Sequence, residues 1–206
     1  MGRNKNYDRN TLVGQALRLF HERGFGGTST QELVAELGVN RNSMYAEFGS
    51  KQALFEAALE RYDEVVVGKV FGQLEAPEAS LDAIVSMFDA FELTASKASG
   101  LGCLMCNTAA ELGGTEPGEH EVRRYFERIR LAFLNSLEGA RRAGALVPIA
   151  HVDDEAALLT ATVLGIFVMV RGRAPKALVR AAIRAGRRHV QSLRTDLMSG
   201  KNRCDA

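Results

Sequence analysis

Several things are scarce or missing in this chain, and each absence removes a class of protein. Its 206 residues carry three cysteines, too few for a disulfide framework in a chain of this size. Met1 leads into Gly2, Arg3, Asn4, Lys5 and Asn6, with no apolar stretch that could act as a signal peptide. A reducing, cytoplasmic setting is the expectation. The longest apolar run, Ala156 to Val170, is fenced by Asp154, Glu155 and Arg171 and falls short of the roughly 20 residues that cross a bilayer. A buried helix, with no membrane contact, is expected there. Sustained period-2 alternation is absent, which argues against a sheet-built fold. No phosphate-cradling glycine loop, HExxH or GxSxG occurs, and no nucleophile sits at a fixed helical offset from a base. The chain is therefore not expected to be an enzyme, and neither a cofactor nor a metal is expected.

What remains is an ordinary globular composition, 46% hydrophobic and 25% charged, with a net charge of +1. That small figure hides an asymmetry. Residues 1–51 hold 7 basic and 5 acidic side chains, residues 52–170 hold 9 and 18, and residues 171–206 hold 10 and 2. The ends would attract a polyanion and the middle would repel it. The basic residues of the last segment, Arg180, Arg184, Arg187 and Arg188, fall at helical spacing. Their expected role is a solvated face balancing Glu119, Glu121 and Glu127, in preference to a second nucleic-acid surface.

Helical periodicity runs through nearly the whole chain and predicts an all-α fold. Leu12, Ala16, Leu19 and Phe20 define a first helix that stops at Gly24. Ser29-Thr30-Gln31-Glu32 is a capping box that starts a second, carrying Leu33, Val34 and Leu37 and ending at Gly38. Asn40 caps a short third helix to about Phe48, and Ser50 caps a longer one from Ser50 to Phe71. Further amphipathic segments are predicted from about Ser80 to Ser96, Cys103 to Leu112, Glu119 to Ala143, Asp153 to Arg171 and Pro175 to Leu197. Pro77, Pro117, Pro148 and Pro175 punctuate them.

The second and third helices, joined by a tight turn at Gly38, have the form of a helix-turn-helix. A recognition helix must be short, apolar on its inner face and polar toward the major groove. Val39, Met44 and Phe48 supply the inner face. Arg41, Asn42 and Ser43 lie at the outer N-terminal end, where Arg reads guanine and Asn reads adenine. Asn40, Tyr45, Lys51, Thr28, Ser29, Thr30 and the basic arm Arg3, Lys5 and Arg9 suit phosphate contacts or their positioning.

These residues carry a resemblance. TSTQELVAELGVNRNSMYAEFGSKQALFEAAL, residues 28–59, together with LFHERGF before it, resembles the DNA-binding module of the TetR (tetracycline-repressor-like) regulators. Gly102-Cys103-Leu104, then Asn107-Thr108-Ala109-Ala110-Glu111-Leu112, is similar to a segment of one subgroup. The resemblance implies a DNA-binding helix-turn-helix domain over residues 1–50 and a larger helical effector-sensing and dimerisation domain over 51–206. It further implies a homodimer through the 153–171 and 175–197 helices, bound to palindromic double-stranded operator DNA. The 153–171 helix is apolar on nearly all sides, which independently requires a cover. The expected function is a ligand- or redox-responsive repressor released by a small-molecule or electrophile/oxidant effector. The alternative is an all-helical enzyme or an interaction module without DNA binding.

Cys103 and Cys106 form a CxxC at a helix start. A zinc site would need two further ligands, for which only the scattered His120 and His151 offer themselves. A thioredoxin-like enzyme would need a βαβ setting. Two readings stay open: small hydrophobes in a packed helix, or a thiol sensor of an electrophile or oxidant. The resemblance adds weight to the sensor, although an aliphatic residue is expected at Cys106. Phe88, Phe91, Met105, Phe126, Phe133 and Phe167 are candidates to line an apolar effector pocket, with core packing as their other reading. Cys204, in a polar tail, is expected to be exposed.

Overall fold

In a computed structural model the described residues are 7–95 and 100–195. Arg3, Lys5 and Cys204 lie outside them. The helices are α1 Arg9–Arg23, α2 Thr30–Leu37, α3 Arg41–Phe48, α4 Lys51–Tyr62, α5 Gly68–Glu75, α6 Leu81–Ala95, α7 Leu104–Leu112, α8 Glu119–Arg142, α9 Val152–Arg171 and α10 Lys176–Ser192. The fold is all-α. An isolated antiparallel bridge between Leu146 and Arg194 is the one extended pairing among the described residues.

Local chemistry sets the first helices. Asp8 caps α1 by accepting from the Thr11 amide at 2.8 Å. Ser29 and Glu32 close the capping box, each accepting from the other's backbone amide. Asn40 caps α3 by accepting from the Ser43 amide at 2.8 Å, and Ser50 caps α4 in the same way through Ala53. Burial then joins them: Leu12, Ala16, Phe20, Leu33, Met44, Leu54 and Phe55 form one continuous core. Phe20 meets the edge of Phe55 at 4.9 Å, so the first helix is locked onto α4 as well as onto α2.

The second half is arranged around α8, 24 residues long and therefore about 36 Å from end to end. Its apolar stripe, Val122, Tyr125, Ile129, Phe133, Leu137 and Ala140, is buried against α5, α6, α7 and α9. α10 packs on α6 and α9, where Gly186 lets the Phe88 ring approach so closely that an added Cβ would stand 2.8 Å from it. The other side of α9 is left open: Ala157, Leu158, Ala161, Gly165 and Val168 are exposed, and so are Leu178, Ala181 and Ala185 on α10.

Three expectations are corrected. The helix after Ser50 is not continuous to Phe71: a π-helical turn, Asp63–Val67, interrupts it before α5 carries on to Glu75. A π turn holds one extra residue and rotates the helix beyond it, which turns Val67 inward and leaves Val65 and Val66 exposed. The last helix stops at Ser192, because the backbone beyond it pairs with 145–147: Val147 donates to the Leu193 carbonyl at 2.9 Å and Thr195 to the Ala145 carbonyl at 3.0 Å. The basic residues of α10 meet the acidic middle helices at α6 and not at Glu119 or Glu127. Arg184 pairs with Glu92 and Arg187 with Asp89 on α6, while Glu119 and Glu127 pair within α8 with Arg123 and Arg130.

Candidate functional site

α3 presents its N-terminal end outward. Asn40, Arg41 and Asn42 are exposed, Ser43 is half-buried and Met44 and Phe48 are buried beneath. Together with Ala46, residues 40–43 line an open groove. The Arg41 guanidinium lies over the Tyr45 ring, 5.6 Å from its centre. Thr30 and Arg41 hydrogen-bond the Tyr45 hydroxyl and lower its pKa from the ordinary phenol value. α2 and α3 are thus tied at the surface facing away from the core. Lys51 stacks its ammonium 4.1 Å from the centre of Phe25, at the start of α4. Ser29 is exposed and Thr30 half-buried.

Thr28 is the exception: its side chain is fully buried and its hydroxyl donates to the Gly24 carbonyl at 2.7 Å. It cannot offer that hydroxyl to a phosphate. The Thr-Ser pair reads alike in sequence, but the turn through Gly26 and Gly27 points the first side chain inward.

A cavity of about 400 Å³ opens on the far side of α4, between the π turn and helices α5 to α10. Its wall is mostly apolar, with Val66, Val67, Val70, Phe71, Phe91, Ile166, Phe167 and Val170, and its polar groups are Tyr62, Thr94, Cys103 and Tyr125. Of the sequence candidates, Cys103, Phe91 and Phe167 line it. Phe91 and Phe167 meet edge to face at 5.6 Å. Phe88, Met105 and Phe133 are fully buried away from the wall, because Phe88 packs on Gly186 and Phe133 on Phe71. Phe126 lies instead in a surface groove with Ala157, Ala161 and Leu164. Tyr62 and Tyr125 are not among the sequence candidates. The signal that could have found them is a phenol inside an otherwise apolar helical stripe, whose hydroxyl needs a buried partner.

That partner is Cys103, whose Sγ lies 3.1 Å from the Tyr125 hydroxyl. Burial pushes the Cys103 thiol up, but hydrogen bonds from Cys106, Tyr125 and Tyr62 outweigh it and bring the pKa below the usual thiol value. Cys106 is pushed up by its bond to Cys103 and by burial. Burial and the neighbouring Cys103 charge raise both phenols. Among the described residues no group of three or more His, Cys, Asp or Glu is placed to hold a metal ion. No helix among them is long and apolar enough to cross a membrane.

α7 joins the two places. Cys103 is its N-cap residue, at the cavity. From its other end the Glu111 carboxylate accepts from the amides of Phe25 and Gly26, at 3.1 and 2.6 Å, in the turn that leads into the helix-turn-helix. Gly24 has φ 77°, and a Cβ there would collide with that carboxylate; glycine is needed for both reasons. Two more links reach α1: His21 donates a ring N–H to the Gly102 carbonyl at 3.1 Å, and Arg171 of α9 donates to the His21 and Glu22 carbonyls.

Residues 12–58 match the family model described as bacterial regulatory proteins, tetR family. An HTH-type transcriptional regulator of Bacillus subtilis (strain 168), YezE, is 34% identical over 151 residues, covering 71% of this chain and 76% of its own length. The chain belongs to the TetR family. It is a helix-turn-helix transcriptional regulator and not an enzyme. The HTH-type transcriptional repressor ComR of Escherichia coli (strain K12) is 35% identical over 113 residues, 54% of each chain. The solved TetR-family regulator CifR, a cysteine mutant in complex with 26 bp of double-strand operator DNA, superposes with a TM-score of 0.74 at 24% identity. The match covers 90% of this chain and 98% of CifR, and it supports the fold.

Proposed function

We propose that this TetR-family regulator is a repressor that binds a palindromic operator as a homodimer and is released when a small molecule enters the α4–α10 cavity. The observation that carries the reading is α7, one helix with its N-cap on the cavity and its last acidic side chain on the turn before the recognition unit. Residues 1–50 are the DNA-binding domain and 51–206 the sensing and dimerisation domain. Arg41 and Asn42 read base edges. Asn40, Ser43, Tyr45, Ser29, Thr30 and Lys51 position the helix or meet phosphates, as do Arg3 and Lys5 in the arm. ComR's name as a repressor and the operator DNA held by CifR support this assignment.

The open side of α9 and α10 supports dimerisation through these two helices. Leu158, Val168 and Leu178 are each about half exposed, and the alanines and Gly165 between them allow a second copy to approach closely. A dimer must hold its recognition helices about 34–36 Å apart, one turn of DNA. The π turn is where that spacing can change. Asp63, the first residue of the turn, and Glu75, the last of α5, are both held by Arg128 of α8, while Val66 and Val67 line the cavity. A ligand that re-seats this turn moves α4, and with it the DNA-binding domain. Moving the population from 1:99 to 99:1 requires about 5.5 kcal/mol of differential affinity. Membership of the subgroup with the Gly-Cys-Leu segment is part of the proposal. The segment has structural roles here: Asn107 donates to the Leu101 carbonyl at 2.8 Å, and Glu111 grips α1's end.

Fluorescence anisotropy on DNA from upstream of the chain's own gene, against scrambled DNA, tests the reading. Sequence-preferring binding that weakens steeply with salt and is lost on adding an apolar ligand or an electrophile such as a quinone is expected. Equal binding to both DNAs at every salt concentration would overturn it.

A further inference from the structure

We infer that Cys103 and Cys106 are a reactive dithiol that closes to an intramolecular disulfide when a small apolar hydroperoxide enters the cavity. This deepens the proposed function and rests on the cavity being the effector site.

The geometry supplies the two thiols with different tasks. Cys103 is the N-cap of α7, with extended backbone (φ −101°, ψ 129°), and Cys106 is three residues on in the first turn. An N-cap side chain and the side chain at N3 meet across a helix start, as Ser29 and Glu32 do in the capping box of α2. Helical rise and radius put Cα atoms three residues apart at about 5 Å, inside the window of about 4.4–6.8 Å that a disulfide spans. Only Cys103 lines the cavity, and its residue is 2% exposed, so a reagent reaches it through that apolar space. Cys106 is buried behind it. The hydrogen bonds described above outweigh burial and leave Cys103 the readier thiolate, while its bond to Cys103 and burial keep Cys106 protonated, the division a two-step oxidation needs.

In the first step the Cys103 thiolate attacks the outer oxygen of ROOH. An S–O bond forms and the O–O bond breaks. The alkoxide leaves and takes the proton that Cys103 gave up, so the products are a sulfenic acid and ROH. In the second step the Cys106 sulfur attacks the sulfenic sulfur, the S–S bond forms, and hydroxide leaves with the Cys106 proton as water. Two thiols and one hydroperoxide become one disulfide, one alcohol and one water. The hydroperoxide is the oxidant. Tyr125, 3.1 Å from Sγ, is placed to hydrogen-bond the thiolate and then the departing oxygen. The apolar wall selects the class of oxidant: each methylene-sized group moved from water onto it favours an apolar peroxide over hydrogen peroxide by about fourfold.

The test uses the full chain in a Cys204→Ser background, reduced and then treated with one equivalent of cumene hydroperoxide. Intact mass and peptide mapping are expected to show loss of two hydrogens between Cys103 and Cys106, reversed by dithiothreitol. Cys106→Ala is expected to stop at a Cys103 sulfenic acid that dimedone traps, and hydrogen peroxide to react slower than cumene hydroperoxide by more than about tenfold. The proposal is overturned if both thiols of the treated protein remain free to alkylate, if dimedone finds Cys106 first, or if hydrogen peroxide reacts as fast. The mass measurement on the unsubstituted pair changes no buried residue and needs no DNA. A chain that forms the disulfide yet never prefers an operator removes the regulator reading alone, and one that prefers an operator but forms no disulfide removes the dithiol alone.

Discussion

The caps that shape the recognition unit are local, and so is the stack on its outer face. Asn40 caps Ser43, Ser29 and Glu32 cap each other, and Arg41 stacks on Tyr45, all within four residues. The cavity is built the other way, from Tyr62, Cys103, Tyr125 and Phe167, residues far apart in sequence that share a wall because α8 holds the other helices against it. The difference teaches where each function can fail. A local face survives wherever its short helices form, whereas the cavity exists only when the whole domain is packed.

The strongest way to break that comparison is at Phe55, the buried ring between Phe20 and Phe25. Phe55→Ala should cost about 3–5 kcal/mol, read as a lower Tm in thermal unfolding. If it leaves stability unchanged, the DNA-binding helices do not depend on α4 and are more autonomous than their packing implies.

Arg41→Ala should act at the opposite extreme. Anisotropy across a panel of operator variants should show about 1–3 kcal/mol of discrimination lost at one base position, with the Tm and the reactivity of Cys103 unchanged. Uniform weakening across all sequences would instead make Arg41 a phosphate contact.

Glu111→Gln probes the link between the two regions. The amide keeps one acceptor for the Phe25 and Gly26 amides but loses the charge, so the expected cost is about 1 kcal/mol in stability. Operator affinity without effector should persist while effector-driven release weakens, measured by anisotropy with and without the effector. Full release in this variant would move the coupling route to the π turn and Arg128.

The smallest effect concerns pH. Burial lowers the His21 pKa from its ordinary 6.5, so the contribution of the neutral ring to folding is present above that value. It is lost as pH falls from 6.5 through the folded pKa, since the unfolded chain then binds the proton more readily. The Tm should decline between pH 7.5 and 5.5, and His21→Gln should flatten that decline.

Much of this was legible in the residues. The glycine-ended helices, the capping box and the polar end of α3 are signals carried within a few positions, and the structure keeps them. Thr28 departs from its expected exposure because that exposure depends on how Gly26 and Gly27 turn the chain. Phe88, Met105 and Phe133 share the apolar character of Phe91 and Phe167, so no sequence feature separates core from cavity wall. The π turn has no residue signature, as Asp63 to Val67 would continue an ordinary helix. The acidic partners of α10 could not be chosen among many carboxylates until α6 was placed beside it.

The sequence by itself determined an all-α chain of the TetR family, the capped and glycine-ended boundaries of its first three helices, and the outward chemistry of the recognition helix, because helical period, caps and glycine ends act over one or two turns. Only the tertiary structure decided which aromatics enclose a cavity, that Tyr62 and Tyr125 flank Cys103, and that Glu111 reaches back to the Phe25–Gly26 turn. Those contacts join residues separated by tens of positions, and their geometry is fixed by how helices pack rather than by any pattern along the chain.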